Sequence, residues 1–425
     1  MSREPILPDP AAFLVRLFKT AVAAADPMIC IPRALGPKPE GRVVVVGAGK
    51  ASARMAEAVE SVWGPCEGLV ITRYGYGRPT KGIEIVEAAH PVPDQAGVTA
   101  TRRMLELLAG LGAQDTVIAL ISGGGSALLC APAGDITLAE KQAVNAMLLA
   151  SGASIDRMNV LRKHLSAVKG GQLAAAAYPA QLRALLISDV PGDDPAFIAS
   201  GPTVGDATRA EEALSIAQRF GLELPASVLA VLHGTTGVVP PQDPRLSRAR
   251  TEVIAAPAQS LKAAADLARQ QGMEVRILGE ALEGEARELA AAHARLALEI
   301  AAKEARSCPL LLLSGGECTV TQRGAAAEAK GGPNAEYVLA ACQTLAGAPR
   351  IWALACDTDG VDGSDEVAGA WIGPETAGLA HRLGLSASEA LEQHDSHGFF
   401  ARLGQQVVPG PTLTNVNDFR AILIL

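Results

Sequence analysis

Four consecutive valines, Val43 to Val46, run straight into Gly-Ala-Gly-Lys (47–50) and then into the Ala-rich stretch ASARMAEAVESV. β-Branched residues favour strand, the glycines break it, and the apolar residues that follow recur at the helical period. A strand apolar at every position is buried on both faces, which requires a sheet covered by helices on each side. The same pattern recurs along the chain. GLVITRYG and IEIVEAAHPVPD read as strands, TRRMLELLAGLG as a helix, and TVIALISGGGSALL and LRALLISDVPGDDP as strands ending in polar, glycine-containing loops. Such alternation implies parallel strands joined by crossover helices, an α/β layered, Rossmann-like domain with a mostly parallel sheet. Ligands in these sheets lie beyond the carboxyl ends of the strands, so the loops should share one site.

A chain of 425 residues exceeds one ordinary domain, and two are expected. The stretch HGTTGVVPPQDPRLSRAR, about 233–250, has no usable period and reads as a linker or edge loop. It separates a domain over 1–235, opened by a helix at about 10–25, from a smaller α/β domain over 250–425. In the second domain EVIAAP, a helix at about 258–272, EVRILGE, a long helix at about 283–305, PLLLLSGGE and IWALACDTDGVDG restart the alternation. Hydrophobic residues at 49% with aromatics at only 3% mean that small aliphatic side chains do the packing.

A net charge of −8 argues against nucleic acid held by phosphate contacts, yet permits a local basic pocket for an anion. Seven cysteines without a Cys-x-x-Cys pair suggest neither a zinc site nor a disulfide framework. The first residues lack a signal-peptide pattern, and no apolar run reaches ~18 residues, so a cytoplasmic protein without membrane contact is expected. Its partners should be small molecules.

Gly49 and Lys50 of GAGK stand between a buried strand and a helix start. Either the glycines let amides face an anion while Lys50 adds a charge, or they serve tight geometry alone. The dinucleotide fingerprint G-x-G-x-x-G is incomplete, because Ser52 takes its third glycine position. Thr72 and Arg73 end the next strand where an NAD site would carry an acid. In SGGGSALL, Ser122, Gly123, Gly124, Gly125 and Ser126 offer amides and hydroxyls to one phosphate; three glycines in a row are costly if only structural. The loop fits neither a Walker A motif nor a nucleophile elbow. A second Ser-Gly-Gly, Ser314-Gly315-Gly316, ends the strand LLLL and leads to Glu317.

Arg162, Lys163, His164 and Lys169 in NVLRKHLSAVKGGQLA cluster on a segment read as a helix stopped by Gly170 and Gly171. Arg162, Ser166 and Lys169 would share one face, either to meet an anionic substrate or as a solvated face. Acids gather at strand ends: Asp189, Asp193 and Asp194, Glu317, and Asp357, Asp359, Asp362 and Asp365. A few of them near phosphate loops would suit Mg²⁺, which takes one or two carboxylates plus phosphate oxygens; turn chemistry is the alternative. DTDGVDGSDE does not fit an EF-hand, since Asp362 falls where the turn glycine belongs. Asn334 and Glu336 in GGPNAEYVLA, and Asn415, Asn417 and Asp418 in TNVNDFRAILIL, are either caps and turns or ligand contacts.

GAGKAS, SGGGSALL, NVLRKHLSAVKGGQLA, ISDVPGDDPAFIASGPTVGD, LLLSGGECTV, GGPNAE and DTDGVDGSDEVAGA, in this order over nearly the whole chain, resemble the bacterial-type glycerate 2-kinase family. Its second part is called the MOFRL domain. The resemblance implies transfer of the ATP γ-phosphoryl group to the 2-hydroxyl of D-glycerate with a divalent metal, Mg²⁺, in a cleft between two α/β domains. Some relatives carry the label hydroxypyruvate reductase, which supplies an NAD(P)H-dependent alternative; a non-catalytic sugar-acid sensor is a third. One departure stands out: the family's Gly-Gly-x-Asn-Gln-Glu is GGPNAE here, with Ala335 in place of the glutamine.

On this reading Lys50 stabilises transition-state charge, helped by Arg323. Arg162 or Lys169 takes the glycerate carboxylate, and Asp189 and Asp193 hold metal or orient the hydroxyl. Glu317 is a further metal candidate. Gly49, the 122–126 loop, Ser314, Gly315, Gly316 and Asn334 contact phosphate or substrate. The assembly allowed for is a homodimer.

Overall fold

The valine run is strand β1 (Val43–Ala48) of a computed structural model that describes residues 7–303, 306–321, 330–363 and 365–425, and all six of its residues are buried. Five more strands join it: β2 (Glu67–Arg73), β3 (Ile83–Ala88), β4 (Thr116–Ile121), β5 (Gln181–Ile187) and β6 (Ala249–Ala255). They pair in parallel throughout, in the order β3-β2-β1-β4-β5-β6. That is the doubly wound order, and it reverses between β1 and β4. The loops after these two strands, GAGK and SGGGS, therefore flank the switch point. Val44, Val46, Val117, Ala119, Ile121, Leu182, Ala184 and Leu186 form one apolar face, covered in part by Met104 and Leu108 of the helix Gln95–Ala109.

This sheet belongs to a compact unit of residues Pro27–Ala255. The other unit combines the residues up to Asp26 with Ala256–Leu425. The expected division at 235–250 thus moves. EVIAA closes the first sheet as β6 rather than opening the second domain. The Gly/Pro-rich stretch before it is an edge loop: Val239 is buried and exchanges backbone contacts with Gly170 and Asp206.

The flanking unit holds β7 (Glu274–Gly279), β8 (Gly284–Glu285), β9 (Leu310–Gly316), β10 (Cys318–Thr319), β11 (Ile351–Asp357), β12 (Gly369–Ile372), β13 (Gln406–Val407) and β14 (Asp418–Ile424). Six of them form a sheet ordered β13-β12-β11-β14-β9-β7, parallel only between β7 and β9, while β8 pairs with β10. β14 lies at its centre with every residue buried, and it begins at Asp418, a residue read as a cap, a turn or a ligand contact. The opening helix, Pro10–Ala24, is capped by Asp9 and buries Phe13, Leu14, Leu17, Phe18 and Ala21. It packs in this unit, not with β1, and Phe18 meets Phe419 with ring centroids 6.1 Å apart. Among the described residues no helix is long and apolar enough to cross a membrane.

Candidate active site

In the central unit the GAGK turn is built around Ser122. The Ala51 amide donates to Ser122 Oγ at 3.0 Å, and the Lys50 amide to the Gly123 carbonyl at 2.8 Å. Ser52 Oγ lies 3.2 Å from Ser122 Oγ and donates to the Leu120 carbonyl at 2.9 Å. A Cβ at Gly49, whose φ is +147°, would lie 2.1 Å from Ser122 Oγ. Tight geometry therefore accounts for this glycine. The Lys50 and Ala51 amides, just ahead of helix Ser52–Trp63, are turned to the neighbouring loop, so in the GAGK turn the Lys50 side chain is what carries positive charge.

The SGGGS loop is different. Its Gly125 amide donates to the Ser122 carbonyl, but the amides of Gly123 and Gly124 have no acceptor among the described residues. A Cβ at Gly124 would approach the His90 ring to 3.0 Å and Lys50 Cγ to 3.2 Å, so both side chains crowd over it. Two successive unbonded amides beside the Lys50 stem are the kind of arrangement that suits an anion.

Beside this loop opens a cavity of about 190 Å³, lined by His90, Gly124, Ser126, Asn145, Lys141, Arg162 and Lys169 among others, with no carboxylate in its wall. Sequence placed Arg162 and Lys169 together on one helix; the helix instead ends at His164, and the turn that follows returns Lys169 to the same cavity. Arg162 Nε donates to Asn145 Oδ1 at 2.9 Å. Lys169 Nζ donates to the main-chain oxygens of Ser126 and Ala199 at 2.9 and 3.4 Å. Burial, with Lys141 and Arg162 nearby, lowers the Lys169 ammonium to about 7, and burial pushes Lys141 down as well.

The rest of the basic run is structural. Lys163 pairs with Asp206 at 2.5 Å. His164 is held by Thr236 at 2.8 Å and Thr208 at 3.3 Å, as a satisfied core histidine.

Asp189 and Asp193 follow β5. Asp193 adopts φ +55° and leaves its buried Oδ1 without a hydrogen-bond partner. Left-handed φ at a non-glycine residue costs energy and marks a functional candidate. The segment continues through Ala199 and Ser200, also at positive φ, and Ser200 Oγ meets Ser126 Oγ at 2.8 Å and Asn159 Oδ1 at 3.1 Å. Among the described residues no three His, Cys, Asp or Glu side chains gather as a metal cage.

In the flanking unit the second Ser-Gly-Gly is part of β9, not a loop beyond it. Gly316 has φ +106°, and a Cβ there would lie 2.3 Å from the Leu282 amide. Its carbonyl and that of Gly315 each accept from the buried Arg420 guanidinium at 3.1 Å, and Arg420 pairs with Asp418 at 2.6 Å. Asn334 Nδ2 donates to Asp418 at 2.7 Å and to Asp362 at 3.3 Å, leaving its buried Oδ1 unpartnered. Asp362 accepts the Asn334 and Ala335 amides at 2.9 and 2.8 Å. The contact at position 335 is thus made by the backbone, whichever side chain stands there. Burial, together with the charge of Asp418, raises the Asp362 carboxyl to about 7. Glu336 pairs with Arg287 at 2.6 Å, and Glu317 is exposed. Arg323 lies outside the described residues.

Sequence reasoning missed Lys141, Asn145 and Arg420. Lys141, Val144, Asn145 and Leu148 share one helical face, and two polar residues on an apolar stripe were the available signal.

Two family models match: the domain of unknown function DUF4147 over residues 13–233 and the MOFRL family over residues 310–418. An Agrobacterium vitis protein provisionally named a hydroxypyruvate reductase is 50% identical, covering 97% of this chain and 94% of its own. The D-glycerate 2-kinase of Thermotoga maritima is 36% identical over 97% of both chains. A crystal structure of glycerate kinase from Thermotoga maritima superposes with a TM-score of 0.87 at 34% identity, covering 98% of this chain and 99% of that one. The chain belongs to the bacterial-type glycerate 2-kinase, or MOFRL, family.

Proposed function

We propose that this protein transfers the γ-phosphoryl group of ATP to the 2-hydroxyl of D-glycerate, giving 2-phosphoglycerate and ADP. The observation that carries the reading is the cation-lined cavity without a carboxylate, set beside a loop whose free amides and overlying Lys50 suit a phosphate. The acceptor hydroxyl oxygen attacks the γ-phosphorus, the bond to the bridging oxygen of ADP breaks, and the hydroxyl proton leaves to a nearby base. Such a reaction asks the protein mainly for positioning and charge neutralisation. Lys50 and the Gly123 and Gly124 amides supply positive charge to the transferring group. Asp189 and Asp193 stand ready to orient the hydroxyl. The unpartnered Asp193 oxygen also fits Mg²⁺; these two carboxylates would hold it, and the ion neutralises phosphate charge when bound. In the flanking unit Ser314, Gly315, Gly316, Asn334 and Glu317 remain candidates for nucleotide or metal contact, the unpartnered Asn334 Oδ1 being the available acceptor.

One observation favours a reductase, namely the strand order, which is that of dinucleotide-binding sheets. Against it, the Ala51 and Lys50 amides of the turn where a pyrophosphate would lie are already bonded to Ser122 and Gly123. The test supplies D-glycerate, ATP and Mg²⁺ with enolase but no phosphoglycerate mutase, following phosphoenolpyruvate. Its formation supports 2-phosphorylation; ADP without it means another acceptor; neither product, with oxidation of NAD(P)H by hydroxypyruvate, establishes the reductase instead.

A further inference from the structure

The cavity beside Ser126 contains more positive charge than the positioning of one loop requires. Lys169 uses two of its N–H bonds on main-chain oxygens and so braces the walls. Lys141 Nζ donates once, to the Leu165 carbonyl at 3.0 Å. Arg162 is oriented through Nε by Asn145, which leaves its two terminal nitrogens side by side. Among the described residues no acceptor meets those nitrogens or the remaining Lys141 N–H groups. Lys141 and Arg162 are half-buried, and partly desolvated cations without a counter-charge are costly, a cost that an anionic ligand removes. Val144, Leu148 and Leu165 give the cavity a buried apolar lining, where low polarity strengthens each charge–charge contact and suits a carbon skeleton.

We infer that Lys141 and Arg162 bind the carboxylate of the acceptor and make the cavity selective for hydroxy acids over neutral polyols. The paired Arg162 nitrogens match the two oxygens of a carboxylate, and Lys141 adds a point charge from the facing helix. This rests on the kinase reading, which supplies the acceptor.

The test measures D-glycerate binding to the full-length protein by calorimetry without nucleotide, beside steady-state kinetics with ATP. Lys141→Met should raise both Kd and KM for D-glycerate by about tenfold or more, the loss expected for one charge-assisted contact. Its KM for ATP should stay unchanged, the preference for D-glycerate over glycerol should shrink, and Lys141→Arg should recover most of the affinity. Lys262→Met, at an exposed lysine paired with Asp266, is the control that alters neither constant. A raised KM for ATP with unchanged D-glycerate binding would assign the cavity to the nucleotide and overturn the inference. Unchanged binding of both would overturn it too. Should Lys141→Met fail to fold, Asn145→Ala keeps every cation but releases Arg162, and weaker D-glycerate binding is again expected; unaltered binding refutes the role. A wild-type protein that binds D-glycerate through Lys141 yet forms no phosphoglycerate would sink the kinase reading and leave the carboxylate site standing.

Discussion

Lys169 Nζ reaches the main-chain oxygen of Ser126 at 2.9 Å, so a buried ammonium from the turn after residue 164 holds the glycine loop that follows β4. The arrangement has a pH signature. In the folded protein this ammonium titrates near 7 rather than at its ordinary 10.5, because burial and neighbouring cations oppose its charge. Between those values the unfolded chain binds the extra proton, so stability should rise as pH increases from about 7 towards 10.5. Lys169→Met should remove that rise. Chemical denaturation of both proteins across the window measures it, and parallel curves would contradict the assignment.

Lys50→Ala removes the lysine whose Cγ lies beside Gly124 while keeping every backbone bond of the GAGK turn. Turnover should fall by about 10²–10³-fold, the range seen when a positioned transition-state donor is lost. The melting temperature should hardly move. Near-normal turnover would dismiss Lys50 from the charge-stabilising role.

Ser122→Ala takes away the oxygen that accepts the Ala51 amide and meets Ser52. A buried amide is left unpaired at the start of helix Ser52–Trp63, at a cost of about 1–3 kcal/mol in unfolding free energy. Denaturant titration reads the loss directly, and Ser122→Thr should not restore it fully, since its added methyl group enters the space that Gly49 keeps open.

Asp362 offers a second titration with the opposite sign. Its folded value, about 7, exceeds the ordinary 3.8, so the folded protein holds the extra proton between them. Stability owed to this group is complete below 3.8 and is lost as pH rises through 7. Asp362→Asn should therefore gain on the wild type as pH climbs across that interval, whatever its absolute stability. Equal pH slopes for the two proteins would refute the shifted carboxyl.

The residues that were readable from sequence are those whose signal is local. Val43–Val46 could be little other than a buried strand, and three glycines after another apolar run announced a special loop. Arg162 and Lys169 stood out as basic residues in an acidic chain. Lys141 did not, because its only signal in LAEKQAVNAMLLA is a place on the apolar stripe with Val144 and Leu148, and a lone lysine there reads as a solvated residue until the fold turns it toward the cavity. The FRAILIL run was missed as a strand because a short apolar stretch does not reveal a partner a hundred residues away, and Asp418 pairs across to Gly316. The Asp362–Asn334–Asp418 cluster escaped for the same reason, its members being joined by pairing rather than spacing.

The helix Pro10–Ala24 leaves the ribosome before any residue of the Pro27–Ala255 unit, yet the surface that covers its phenylalanines includes β14, made some four hundred residues later. The parallel-sheet unit can finish folding as an insert while the flanking unit still waits for its central strand. During synthesis, then, the helix presents an apolar stripe whose central covering strand has yet to be made. A shortened product lacking Asp418–Ile424 would leave one sheet whole and the other without its middle.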